Sequence, residues 1–209
     1  MSRQNNDLGL ESMFESKSSE KLLIGSFNIF VPRKNNIIKC LCSFIISLIL
    51  AGVIGFSLYT IDIMEKVAET FITVYIGLLG VTFTGYTFFQ ALITGKLIEL
   101  LIDRPDERKK ENKFLETNES FVKLILLYIF FLLMNIILKI LFSSIDVNTN
   151  VFSNAQVNNS VATMGIIVYM YCSLIAVWHV KSYVYNIFQI FNLRAIREYL
   201  DNKPDNQSS

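Results

Sequence analysis

One histidine, His179, sits in the run Trp178-His179-Val180-Lys181, and the three cysteines are Cys40, Cys42 and Cys172. An imidazole inside an apolar segment has the chemistry of a proton sensor, because it titrates near neutral pH. The neighbouring Trp178 and tyrosines suit equally well an aromatic belt at a membrane interface, with His179 as a packed polar residue. A zinc site needs four ligands in one place. Cys40-x-Cys42 has no further Cys or His beside it, so no metal is expected there or at His179. An odd number of cysteines in or beside apolar segments is unlike a disulfide framework and reads as structural or reduced thiols. No Walker-type loop, His-Glu-x-x-His pattern or dinucleotide fingerprint occurs, and no nucleophile can be matched with a base and an orienting acid. The expectation is a protein that is not an enzyme and uses no cofactor.

Other polar groups lie within apolar runs. Asn135 is near the middle of one, where it is expected to form an interhelical or intersubunit hydrogen bond, with a polar pore lining as the alternative. Lys123 and Lys139 lie toward the two ends of the same run and can snorkel to opposite interfaces. Gly77, Gly80 and Gly85 share a segment with Thr82, Thr84 and Thr87, and Ala51 is spaced four residues from Gly55. Small residues let helices approach closely in lipid, so both segments are candidates for helix packing or a subunit interface. The threonine row would line a pore only if several chains surrounded an axis.

These residues are carried by four apolar segments, about Ile38–Thr60, Phe71–Gly95, Phe121–Phe142 and Val161–Phe188. Each is long enough to cross about 30 Å of hydrocarbon at about 1.5 Å per residue. The 209 residues are 52% hydrophobic with 17 Phe, which leaves too little polar sequence for a separate globular domain. The fold expected is all-α: a polytopic membrane protein with four transmembrane helices and helical cytoplasmic extensions. Residues 1–37 form an N-terminal cytoplasmic segment, 38–191 a four-span membrane domain including a cytoplasmic loop at 96–120, and 192–209 a tail. The polar, mixed-charge first 20 residues are unlike a signal peptide, so the first span is expected to be retained. Pro32 should separate the apolar patch Leu22–Val31 from the first span, leaving that patch as a membrane-surface element or a plug under the bundle. The second span is expected to run on as helix to about Ile102, before Pro105, and the fourth to end near Tyr199.

The net charge of +1 gives no attraction to nucleic acid, and no direct nucleic-acid binding is expected. The distribution of charge is more informative. Lys21, Arg33, Lys34 and Lys39 precede the first span, six basic residues from Lys96 to Lys113 fill the second loop, and Arg194, Arg197 and Lys203 follow the fourth span. The first loop, DIMEKVAET, holds only Lys66, and the third, SSIDVNTNVFSNAQVNNS, holds no basic residue. The positive-inside bias therefore predicts a protein of the cytoplasmic (inner) membrane with both termini inside. Asn158-Asn159-Ser160 fits a glycosylation pattern but lies too close to the fourth span for easy enzyme access. The block containing Arg104, Asp106, Glu107, Arg108, Lys109 and Lys110 is a solvated loop or a docking surface for a soluble partner, and Arg194 and Arg197 extend that surface on the tail.

Four spans, cytosolic termini and a charged inner loop resemble small bacterial four-pass subunits that act with a soluble cytoplasmic partner, among them the membrane subunit of the Kiwa anti-phage defence system. The resemblance is one of architecture. No family motif falls on residues such as Gly85-Tyr86 or Phe88-Phe89-Gln90, and no functional residue is carried over. It implies a membrane assembly that detects phage attack and recruits a partner that suppresses phage DNA functions. The expected partners are membrane lipids, further copies of the chain and a soluble cytoplasmic protein. The expected function is an oligomeric scaffold or sensor, the alternative a small oligomeric ion channel or membrane-perturbing effector.

Overall fold

The computed structural model describes residues 18–32, 36–93, 113–145 and 155–201, and every regular element among them is helical. Helix α1 is Ser19–Ser26, followed by a 3-10 turn at Phe27–Phe30. The four long helices are α2 (Ile37–Gly55), α3 (Thr60–Leu92), α4 (Lys113–Ser144) and α5 (Ala155–Asp201). All four are long and apolar enough to cross a membrane. The fold is thus all-helical, with the layout of a four-pass membrane protein.

α1 starts where Ser18, in extended conformation, accepts the Lys21 backbone N–H on its hydroxyl. Glu20 in that first turn accepts from its own backbone and from Ser18 and Ser19, which lowers its pKa below the usual carboxylate value. The segment stops where the proline predicts. Val31 is extended (φ −80°, ψ 122°), the conformation forced on a residue before Pro. Phe27 and Phe30 meet Phe130 and Phe131 edge-on, at ring-centroid distances of 5.2 and 5.9 Å, and the Tyr171 hydroxyl donates to the Phe30 carbonyl at 3.4 Å. Phe130 lies about 10 Å along α4 from Lys123. The Phe27 and Phe30 side of the patch therefore packs on α4 and α5, while Ile24 and Val31 remain exposed.

α2 shows how each span is oriented. Its buried positions are Cys40, Ser43, Ser47, Ala51, Ile54 and Gly55, while Phe44, Ile45, Ile49 and Val53 face outward. Small and polar residues point in because helix packing in lipid rewards close approach, whereas bulky aliphatics are as well solvated by acyl chains as by protein. Ser47 satisfies its hydroxyl on the Ser43 carbonyl at 2.7 Å. The same helical phase places Cys40 inside and Cys42 outside, so the Cys-x-Cys pair is split between two faces.

The first loop is shorter than the charges suggest. α2 ends at Gly55 and α3 begins at Thr60, whose hydroxyl bonds the Ile54 and Ser57 carbonyls, both at 2.7 Å. DIMEKVAET is therefore the start of α3, not a loop. Met64 and Ala68 are buried on one face, and Asp62, Glu65, Lys66 and Glu69 take the rest, an amphipathic turn pattern. Glu69 pairs with Lys139 of α4 at 3.1 Å. Lys139 thus reaches an acidic partner in addition to any interface. At its other end α3 stops at Leu92, because Ile93 is extended (ψ 106°); the expected continuous helix to Ile102 is interrupted there, and residues 94–112 lie outside the described part. α5 begins at Ala155, so Asn158-Asn159-Ser160 is helical, and its end at Asp201 agrees with the expected extension beyond the span. Its 47 residues measure about 70 Å, over twice the hydrocarbon thickness.

α2 packs chiefly on α5 and α3 chiefly on α4, and contact between α3 and α5 joins the two pairs. Gly85 of α3 makes that junction. A Cβ there would collide with the Tyr183 hydroxyl and ring and with the Ile187 side chain. Gly77 and Gly80, on the same helix, have nothing within 4 Å of such a Cβ. Gly85→Leu should accordingly destabilise the single-chain fold by about 1–3 kcal/mol through overpacking. Gly77→Ala should not destabilise it. Thermal unfolding of the two variants in detergent measures the difference.

Candidate functional site

Two constellations stand out: a polar seam inside the bundle and a stripe of small residues on its outer face. The seam is built from tyrosines that span the helix contacts. Tyr169 of α5 donates to Asn135 Oδ1 of α4 at 2.5 Å, and Asn135 Nδ2 donates to the Phe131 carbonyl at 2.7 Å. Asn135 is 0% exposed. Its predicted interhelical hydrogen bond is therefore made within one chain, and it has no open face to offer a pore. Tyr128 of α4 donates to the Ala176 carbonyl of α5 at 3.2 Å, Tyr183 of α5 donates to the Thr82 carbonyl of α3, and Tyr75 of α3 approaches the Ser173 carbonyl of α5 at 3.5 Å. Aromatic packing surrounds these bonds, including Tyr75 stacked on Phe131 at 5.4 Å and Phe121 edge-on to Tyr183 at 5.0 Å. The Ser173 hydroxyl is buried amid them and has no hydrogen-bond partner by geometry among the described residues.

Sequence reasoning did not single out Tyr75, Tyr128, Tyr169 or Tyr183. The available signal was their spacing. Tyr169 and Tyr183 lie fourteen residues apart on α5, four helical turns, so they share the face that packs on α3 and α4.

The threonine row divides. Thr82 is buried, its hydroxyl shared between the Leu78 and Leu79 carbonyls at 2.9 and 3.0 Å, whereas Thr84 and Thr87 are exposed. A two-residue step turns a helix by about 200°, so Thr82 and Thr84 cannot share a face. The exposed members join others that the sequence reading left out. Thr70, Thr73, Gly77, Gly80, Thr84 and Thr87 are all exposed, at spacings of 3, 4, 3, 4 and 3. This is a sustained heptad seam on the outer side of α3. Their hydroxyls donate to the helix's own carbonyls, Thr84 to Gly80 and Thr87 to Phe83 at 2.9 Å each, so the donors are satisfied and the methyl groups are free to pack outward.

His179 sits half-buried with Nδ1 3.1 Å from the Ile175 carbonyl of its own helix. It lines a cavity of about 160 Å³ beneath α1, together with Gly25, Ser120, Lys123, Ser182 and Asn186. Lys123 in that cavity is paired with Glu119 at 2.8 Å. Arg194 makes a local ion pair with Glu198 at 2.9 Å on the projecting end of α5; such exposed i,i+4 pairs contribute about 0.3–0.5 kcal/mol. Arg104, Asp106, Glu107, Arg108, Lys109 and Lys110 lie outside the described residues, and Arg197 is described only as part of α5. Among the described residues no three His, Cys, Asp or Glu side chains converge as a metal site.

The seam generates a test. Tyr169→Phe leaves the Asn135 oxygen buried and unpaired, at a cost of about 1–2 kcal/mol, and Asn135→Leu alone strands the Tyr169 hydroxyl. Replacing both should recover much of the loss. A double-mutant cycle on unfolding in bicelles should give a coupling of about 0.6–1.7 kcal/mol; additive effects would show that the bond contributes nothing. No family model matches this sequence, and comparison with curated proteins and with solved structures finds no match either.

Proposed function

We propose that this protein is an oligomeric membrane scaffold or sensor whose copies meet along the outer face of α3 and whose basic end holds a soluble cytoplasmic partner. The observation that carries the reading is the pair Gly77 and Gly80, exposed, where an added Cβ would meet nothing within 4 Å among the described residues. A glycine inside a helix costs about 1 kcal/mol relative to alanine. At Gly85 the fold itself accounts for that cost; at Gly77 and Gly80 it does not. Close approach by a helix of another chain does account for it, and Thr73-xxx-Gly77 and Gly80-xxx-Thr84 are both small-xxx-small pairs of the kind that associate in lipid. Closed, symmetric assemblies of identical chains are the ordinary outcome of a self-complementary stripe.

The partner surface is proposed from charge: 104–113 of the second loop, with Arg104, Asp106, Glu107, Arg108, Lys109 and Lys110, together with the end of α5 near Arg194 and Arg197. With the four-span layout and its resemblance to anti-phage membrane subunits, this supports a role in which a membrane assembly passes a signal to a soluble effector. The inner membrane, with both termini inside, is the proposed location. One observation favours the channel alternative: four of the six stripe residues are threonines, whose oxygen lone pairs could face a central axis.

Gly80→Leu places a good helix former where no neighbour opposes it, so the single-chain fold should persist while the complex falls to a single chain, read as its mass in nanodiscs. A complex of unchanged mass would move the interface away from α3. Affinity capture of the intact protein from native cells should retain a stoichiometric soluble protein, and neutralising 104–113 should release it. Retention after that change would refute the docking surface, and ion flux through reconstituted protein alone, lost in Thr84→Leu, would establish the channel instead.

A further inference from the structure

At the end of the bundle where α2 turns into α3, a cavity opens between α3, α4 and α5. It measures about 670 Å³, within the range of about 300–1,000 Å³ that holds small-molecule ligands. Three helix faces make its walls, each at helical spacing: Ile61 and Met64 from α3, Leu138, Phe142 and Ile145 from α4, and Ala162, Gly165 and Ile166 from α5. The space exists because α5 carries Ala162 and Gly165 where the others carry large side chains. A Cβ on Gly165 would meet nothing within 4 Å.

The polar groups of the cavity are graded along its depth. Ser57, Thr60, Asn158 and Asn159 lie at the outer end, beside the α2–α3 turn and the first turns of α5, while Tyr169 lies about 16 Å further along α5 with its hydroxyl committed to Asn135. Among the described residues, none that lines the cavity is charged. Lys139, the nearest basic residue on α4, is drawn to Glu69 at 3.1 Å. Among the described lining residues a phosphate headgroup would find no counter-ion, and a buried unpaired charge is strongly disfavoured.

We propose that this cavity binds an uncharged amphiphile, its hydrocarbon tail between α4 and α5 and its hydroxyl, ester or amide head on the Ser57, Thr60, Asn158 and Asn159 rim. Monoacylglycerols have this chemistry; phospholipids share the tail and lack the neutral head. The site uses the inner and end surfaces of α3, not its outer stripe, so it stands independently of the assembly proposed above.

The test uses the full-length protein in nanodiscs with a monoacylglycerol bearing a diazirine in its tail. Irradiation should label residues of α4 and α5 that wall the cavity, located by peptide mass spectrometry. Unlabelled monoacylglycerol should compete, and the lysophosphatidate with the same tail should compete at least about ten-fold less well, a difference of about 1.4 kcal/mol. Gly165→Leu should reduce labelling at least about five-fold with an unchanged unfolding temperature, and Gly165→Ala, which fills less space, should fall between. Labelling spread over the outward face of α2, equal competition by the phosphate-bearing lipid, or undiminished labelling of a folded Gly165→Leu protein would each overturn the proposal.

Discussion

A hydroxyl buried inside a membrane bundle has no water to bond, so its acceptor must come from the protein. Tyr128, Tyr169 and Tyr183 meet this constraint by reaching across to a neighbouring helix, two of them to main-chain carbonyls and one to Asn135. Main-chain carbonyls are fixed in position by their own helix, so each bond sets the register of two helices as well as their separation. The tyrosine seam crosses from α5 to both α3 and α4, and it does so where direct packing between α4 and α5 is sparse. The bulk of α1 and the 3-10 turn fills the remaining groove, with Phe27 and Phe30 taking the places that further side chains of α4 and α5 would otherwise need. Each of these bonds contributes little alone. Together they select one arrangement of helices from many that would bury similar apolar area.

Hydropathy made the four spans and the helical class legible, because a run of about 20 apolar residues admits few other structures. Pro32 likewise marked the break before α2, since the conformation of Val31 follows from proline's ring. The start of α3 was not legible in the same way. Four charges between Asp62 and Glu69 look like a loop when counted as composition; the burial of Met64 and Ala68 shows they are one side of a helix. Charge count hid periodicity. The candidate site was legible only in residue type. Gly77, Gly80, Thr84 and Gly85 were all recognisable as packing residues, yet sequence offers no absolute rotation for a helix, so it could not divide them between the inner and outer faces. The tyrosines were overlooked for a related reason: residue type does not say which way a span tyrosine points, and only the contacts show that these four lie between helices.

Small residues of α3 lie in two different settings, one inside the bundle and one on its exposed side. On the inner face, Gly85 admits the Tyr183 ring and lets its hydroxyl reach the Thr82 carbonyl, so this glycine serves the fold of one chain. On the outer face, Gly77 and Gly80 have no described neighbour within 4 Å of an added Cβ. Because both sets lie on one rigid helix, with Gly85 turned about 80° from Gly77 and about 140° from Gly80, a rotation of α3 cannot improve the outer contact without disturbing the inner one. Any partner helix must therefore accept the orientation that Tyr183 and Gly85 impose. A seam of period 3.5 on a helix so fixed favours a shallow left-handed crossing, and the geometry of an assembly would follow from the tyrosine bonds inside each subunit.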